Sequence, residues 1–134
     1  MIRLSAIDHV VFRVADLEAS LAFYTRVLGA GVEKVQAGIG LYQLRAGTSL
    51  IDLVPLDGPL GREGGAGPGR EGRNVDHVCF RVLPWDEEAI LAHLSSHGIE
   101  AKVERRYGAE GDGPSIYLAD PDGNGLELKG PPTS

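Results

Sequence analysis

The 134-residue chain has one cysteine, one tryptophan, one methionine and three phenylalanines. A single cysteine excludes an intramolecular disulfide framework and fits a reducing compartment. Cationic side chains are in the minority too: 13 Lys and Arg against 19 Asp and Glu leave a net charge of −6. That balance argues against nucleic acid or an anionic membrane as partner. No apolar run approaches the ~20 residues of a membrane-spanning helix. The opening Met1-Ile2-Arg3-Leu4-Ser5 is too short in its apolar part for a secretory signal, so a cytoplasmic protein is expected. What remains, 43% hydrophobic and 24% charged residues, is ordinary globular composition. A chain of this length hides about two-thirds of its unfolded surface, enough for an interior without disulfides or a structural metal.

Glycine is the residue in excess, at 19, and seven of them fall in Asp57 to Arg73. With almost nothing apolar to bury, this stretch reads as a connector. Its Gly67-Pro68-Gly69-Arg70-Glu71-Gly72 matches G-x-G-x-x-G formally. A dinucleotide fingerprint needs a strand before it and a helix after it, and here a glycine-rich linker precedes and a strand follows.

The segments on either side repeat each other. Asp8-His9-Val10-Val11-Phe12-Arg13-Val14 recurs as Asp76-His77-Val78-Cys79-Phe80-Arg81-Val82, six identities in seven at an offset of 68. Both copies read as strands. Period-2 parity puts Val10, Phe12 and Val14 on one face and His9, Val11 and Arg13 on the other. A helix follows each copy: one capped by Asp16 and stopped by Gly29, the other starting near Trp85-Asp86-Glu87 and stopping at Gly98. Further strands are expected near 31–36, 41–45 and 50–55, and again near 100–105, 115–119 and 125–129. The turn Asp120-Pro121-Asp122-Gly123-Asn124-Gly125 joins the last pair as a hairpin. The expected fold is α+β: two βαβββ modules, residues 5–56 and 74–130, joined by the connector 57–73. Helices cover one side of the sheets only, so function belongs on the open side.

That side carries His9 and His77, and each module's last strand adds an acid in an apolar frame, Ile51-Asp52-Leu53 and Leu126-Glu127-Leu128. Imidazole plus carboxylate suits borderline divalent ions such as Fe, Co, Ni, Mn and Zn. Asp52 matches Glu127 at an offset of 75. Matching the hairpin glycines Gly47 and Gly123 instead gives 76, and a one-residue slip would turn Asp52 away. Arg13 and Arg81, on the histidine faces, are open to two readings, anionic-substrate contacts or solvated strand ends. Tyr117 is a substrate-contact candidate if its parity, shared with Ser115 and Ala119, is that of the cavity face. Cys79 shares a face with His77 and could line the cavity, but is expected as a small buried hydrophobe, and His93 and His97 are expected as solvent-facing helix residues. Arg105, Arg106 and Tyr107 open a second glycine-rich stretch, 108–113, read as a surface turn or a loop over the cavity.

These segments resemble the vicinal oxygen chelate superfamily: glyoxalase I, fosfomycin-resistance enzymes, bleomycin-resistance proteins, methylmalonyl-CoA epimerase and extradiol dioxygenases. The resemblance covers about residues 6–130 and is carried by Ile7-Asp8-His9-Val10, Phe23-Tyr24-Thr25-Arg26-Val27-Leu28-Gly29 and the run from Tyr117 to Leu128. It implies a cupped sheet with helices outside, a homodimer, a small-molecule substrate and one divalent metal ion per site. His9, His77 and Glu127 match family metal ligands, while Asp52 stands where glyoxalase I has a glutamate and becomes a fourth ligand or an acid/base group. The first activity implied is a glyoxalase I-like lyase or isomerase using metal-stabilised enolate chemistry, with Asp52 and Glu127 as catalytic carboxylates. The alternatives are an Fe(II) ring-cleaving dioxygenase and a metal-free drug-binding protein of the bleomycin-resistance kind. The dioxygenase reading lacks its expected histidine, since Gly108, Ala109 and Glu110 stand there.

Overall fold

The computed structural model describes residues 1–133. The chain divides into two compact units, residues 1–74 and the residues from Val75 onward. Each holds one four-stranded mixed sheet of the same topology.

In the first unit, β1 (His9–Val14) leads to α1 (Leu17–Ala22) and a π-helical turn (Phe23–Val27). The strands β2 (Gly31–Gln36), β3 (Leu41–Ala46) and β4 (Ser49–Pro55) follow. Their order is β1-β4-β3-β2, with β1 and β4 parallel and the other pairs antiparallel. Asp16 caps α1 by accepting the Ala19 amide at 3.1 Å, and Gly29 supplies the left-handed stop at φ 76°. Phe12 and Val14 are fully buried beneath this helix, and the Tyr24 ring stacks on Phe12 at 6.1 Å. Parity thus falls as expected. The helix expected between Asp16 and Gly29 ends in a π-helical turn rather than in α-helix. Within it the Thr25 hydroxyl donates back to the Leu21 carbonyl at 2.6 Å.

The glycine-rich connector has structure of its own. It carries a short helix, α2 (Pro59–Glu63), and its carbonyls at Gly61, Gly65 and Ala66 accept from the Arg13 guanidinium at 2.5 to 3.1 Å. The backbone runs so close that a β-carbon at Gly61 would collide with the Pro55 carbonyl, and one at Gly64 with Arg13. Glycine serves close approach here rather than looseness alone.

The second unit runs β5 (His77–Arg81), α3 (Glu87–Ser96), β6 (Val103–Gly108), β7 (Gly111–Ala119) and β8 (Gly125–Lys129), in the order β5-β8-β7-β6. Asp86 caps α3 through the Ala89 amide at 3.0 Å, as Asp16 does for α1. Leu94 is buried and Ile90 and Leu91 half-buried under the helix. β6 begins three residues later than expected. The stretch 108–113 forms the closed end of the β6–β7 hairpin, with Gly108 paired to Gly111 around an exposed turn at Ala109 and Glu110, which is the surface turn of the two readings. Its glycines admit neighbours, since a β-carbon at Gly113 would lie 2.7 Å from the Pro131 carbonyl oxygen.

Candidate functional site

The sheet registers answer the question left open for Asp52. In the first unit Val11 pairs with Asp52, and in the second Cys79 pairs with Glu127. Paired residues of neighbouring strands point to the same side. Asp52 therefore shares the face of His9, and Glu127 that of His77, at equivalent positions. The two β-hairpins differ in length, Ala46 pairing with Ser49 and Ala119 with Gly125, which explains the glycine mismatch.

Each histidine is oriented by the residue before it. Asp8 Oδ1 lies 2.8 Å from His9 Nδ1, and Asp76 Oδ1 lies 2.7 Å from His77 Nδ1. A carboxylate on Nδ1 favours the tautomer protonated there and leaves Nε2 to face a ligand, the arrangement usual behind metal-binding imidazoles. His9 and His77 remain exposed while both carboxylates are buried, Asp52 2% and Glu127 5% accessible.

The surroundings of the two carboxylates differ. Among the described residues Asp52 receives only the Gln43 amide, at 3.3 and 3.4 Å to its two oxygens, and Gln36 in turn donates to Gln43 at 3.0 Å. Glu127 Oε2 accepts the Ser115 hydroxyl at 2.7 Å, while Oε1 stands 3.4 Å from His77 Nε2. Tyr117 and Cys79 share this face beside Glu127 and favour its anionic form. Burial pushes the Glu127 carboxyl up, but the Ser115, Tyr117 and Cys79 hydrogen bonds and the nearby His77 charge outweigh it, and the net is a lowered pKa. His9 is raised, chiefly by its bond to Asp8, with the Asp52 and Asp8 charges assisting against desolvation.

The second unit's pair fits a divalent ion. An unprotonated Nε2 and a carboxylate oxygen facing each other repel unless a proton or another cation lies between them. Donors bound at ~2.1 Å to a tetrahedral ion stand about 3.4 Å apart, which is the spacing of His77 Nε2 and Glu127 Oε1. Among the described residues, no three His, Cys, Asp or Glu side chains gather into a metal-holding group. Each unit by itself offers one imidazole and one carboxylate.

Other expected site residues are placed as follows. Arg13 spends its terminal nitrogens on the connector carbonyls, and its Nε is buried without a partner. Arg81 pairs with Glu110 at 2.9 Å. Tyr117 pairs with Glu127 across β7 and β8, so it shares that face. Its ring meets His77 edge-on at 5.9 Å, with Arg106 5.8 Å above it. Cys79 is corrected: it is exposed on the histidine face rather than buried in the core, because its parity is that of His77. Desolvation, then the Glu127 charge and hydrogen bond, push its thiol up to about 11. His93 is exposed on α3 and His97 is exposed at its C-cap, as expected. Ser115, Gln43 and Lys129 were missed, although Lys129 alternates with Leu128 as Glu127 does with Leu126, and that pattern places it beside Glu127.

Comparison with known proteins bears on the family and the fold. The profile of the "Glyoxalase/Bleomycin resistance protein/Dioxygenase superfamily" matches residues 6–128. The chain is 33% identical to the glyoxalase domain-containing protein RDO1 of Mycosarcoma maydis, over 92% of this chain and 66% of that protein. It is 28% identical to the mitochondrial methylmalonyl-CoA epimerase of Homo sapiens, over 92% of this chain and 71% of that protein. The chain thus spans about two-thirds of the length of these relatives. Among solved structures, the lactoylglutathione lyase of Agrobacterium tumefaciens superposes with a TM-score of 0.68 at 25% identity, covering 96% of this chain and 95% of that one.

Proposed function

The chain belongs to the glyoxalase/bleomycin resistance protein/dioxygenase superfamily, and from that premise we propose that it is a divalent-metal-dependent lyase or isomerase of the glyoxalase I kind. Its substrate is a small molecule with two adjacent oxygens. The observation that supports the reading is the twice-built Asp-His pair, each histidine sharing a sheet face with a buried carboxylate. His9, His77 and Glu127 are the donors to an ion of the Ni, Co, Fe, Mn or Zn type. Two donors per unit under-fill an ion, and a homodimer is part of the reading.

When bound, the ion supplies Lewis-acid stabilisation of negative charge developing on substrate oxygen. Glu127, kept anionic by its donors, suits a ligand, which must be deprotonated. Asp52 suits the proton carrier. Gln43 reaches it only by long bonds, leaving its oxygens free to take a proton from substrate carbon and return it. Tyr117 presents a hydroxyl beside Glu127 to orient the substrate, and Arg81 offers positive charge for an anionic group. Likeness to the human epimerase favours a second reading with the same residues, in which the proton returns to the carbon it left.

Metal analysis of protein purified without a nickel column tests the proposal. About one divalent ion per site, lost in His77→Ala, together with hemithioacetal isomerisation lost in Asp52→Asn, is the expected result. Protein that carries and takes up no ion overturns it in favour of a metal-free binding protein. Oxygen uptake with catechol overturns it in favour of ring cleavage.

A further inference from the structure

A buried ammonium lies two residues from Glu127 and plays no part in the function proposed above. Lys129 is 5% accessible and spends all three of its donors inside the second unit. They go to the Arg106 carbonyl at 2.6 Å, the Gly113 carbonyl at 3.2 Å and the Ser115 hydroxyl oxygen at 3.3 Å. Ser115 is fully buried and lies directly across the β7–β8 ladder from Lys129.

An ammonium can only donate. The Ser115 oxygen must therefore accept from Lys129, and its single proton has to point elsewhere. The acceptor within reach is Glu127 Oε2, at 2.7 Å. Lys129 thus fixes the rotation of the Ser115 hydroxyl, and the hydroxyl fixes one oxygen of Glu127, leaving Oε1 towards His77. The first unit has no counterpart. By the register that equates Asp52 with Glu127, Val54 stands where Lys129 does and Leu41 where Ser115 does.

We infer that Lys129 and Ser115 are positioning residues that select which oxygen of Glu127 is presented for coordination. The inference rests on Glu127 serving as a ligand. It sets how tightly and in what geometry an ion is held, and not merely whether the unit folds.

The test is Co(II) titration of the full chain, reading affinity and the visible ligand-field spectrum, with thermal unfolding of the metal-free protein as the folding control. Ser115→Ala should weaken Co(II) binding about 10- to 100-fold, as loss of groups that orient metal ligands does elsewhere. Lys129→Met, which keeps the buried methylenes, should weaken it less and shift the spectrum in the same sense. Ser115→Thr, which keeps the hydroxyl, should restore both. Wild-type affinity and spectrum in Ser115→Ala, beside a weakened His77→Ala, would overturn the inference and leave the metal reading standing. So would failure of Ser115→Thr to rescue. Wild-type affinity in His77→Ala would overturn both.

Discussion

The two units share a topology and a strand sequence, yet they are stabilised by different means. Below the first sheet lie Phe12, Val14, Tyr24, Leu44 and Leu53, all fully buried. The second unit buries Leu94, Ile116, Leu126 and Leu128, and beside them Ser115, Asp120, Asn124, Glu127 and Lys129. At equivalent places, Phe12 is fully buried and Phe80 half-buried. Asp52 is held by one amide, and Glu127 by a network that ends in an ammonium. A repeated backbone therefore fixes where a histidine and a carboxylate stand, while the residues around them set how each carboxylate behaves.

The largest effect should separate the two phenylalanines. Phe12→Ala removes a fully buried ring stacked on Tyr24 and should cost ~3–5 kcal/mol, read as a fall in the urea midpoint. Phe80→Ala removes a half-buried ring and should cost about 1–3 kcal/mol. Equal losses would break the comparison. Next in size is the turn that closes the second hairpin. Asp120 Oδ1 accepts the amides of Asp122 and Asn124 at 2.9 Å, and Oδ2 accepts the Asn124 side chain at 2.8 Å. Asp120→Ala should cost about 2–3 kcal/mol because it orphans several donors at once. The first unit's two-residue turn relies instead on Gly47 at φ 60°, and Gly47→Ala should cost about 1–2 kcal/mol through left-handed strain. Both are read in the same denaturant titration.

A smaller effect concerns the connector. Arg13→Met keeps the aliphatic stem but frees the Gly61, Gly65 and Ala66 carbonyls. The expected outcome is faster limited proteolysis within residues 61–66, with little change in the unfolding midpoint. An unchanged cleavage rate would show that α2 holds the segment without the guanidinium.

How far the sequence discloses these differences depends on what each signal measures. Parity on β1 and β5 is a local property of six identical residues, so the buried and open faces and both histidines were legible. The helix caps were legible too, because Asp16 and Asp86 act within three residues of themselves. The Asp52 register was not, because it depends on hairpin length, which only the strand pairing supplies. Composition disclosed the turn at residues 108–113 but not that Gly108 and Gly113 also make room for Lys129 and Pro131, since those neighbours come from a distant stretch of chain. For Cys79 two sequence signals conflict, residue type favouring burial and parity with His77 favouring the open face, and the structure follows parity. Lys129 and Ser115 escaped because a lysine at a strand end reads as solvated until its three acceptors are seen.

The finest distinction between the units is the sign of their response to pH in the metal-free protein. His9 has its pKa raised above 6.5, mainly by the Asp8 hydrogen bond. Its folded form binds the proton more tightly than the unfolded chain does. Its contribution is therefore fully present below 6.5 and fades as pH rises through the folded value. Glu127 is lowered below 4.5, because hydrogen bonds to its anion outweigh burial. Its contribution is present above 4.5 and fades as pH falls through the folded value. His9→Gln should flatten the stability profile only on the neutral-to-alkaline side of 6.5, and Glu127→Gln only on the acid side of 4.5. Chemical denaturation across pH reads both. The His9 effect should be the smaller, because that ring is solvent-exposed and its ion pair is screened. An acid limb left unchanged by Glu127→Gln would mean that the hydrogen bonds around Glu127 do not outweigh its burial, and the ammonium-backed half-site would lose its distinction.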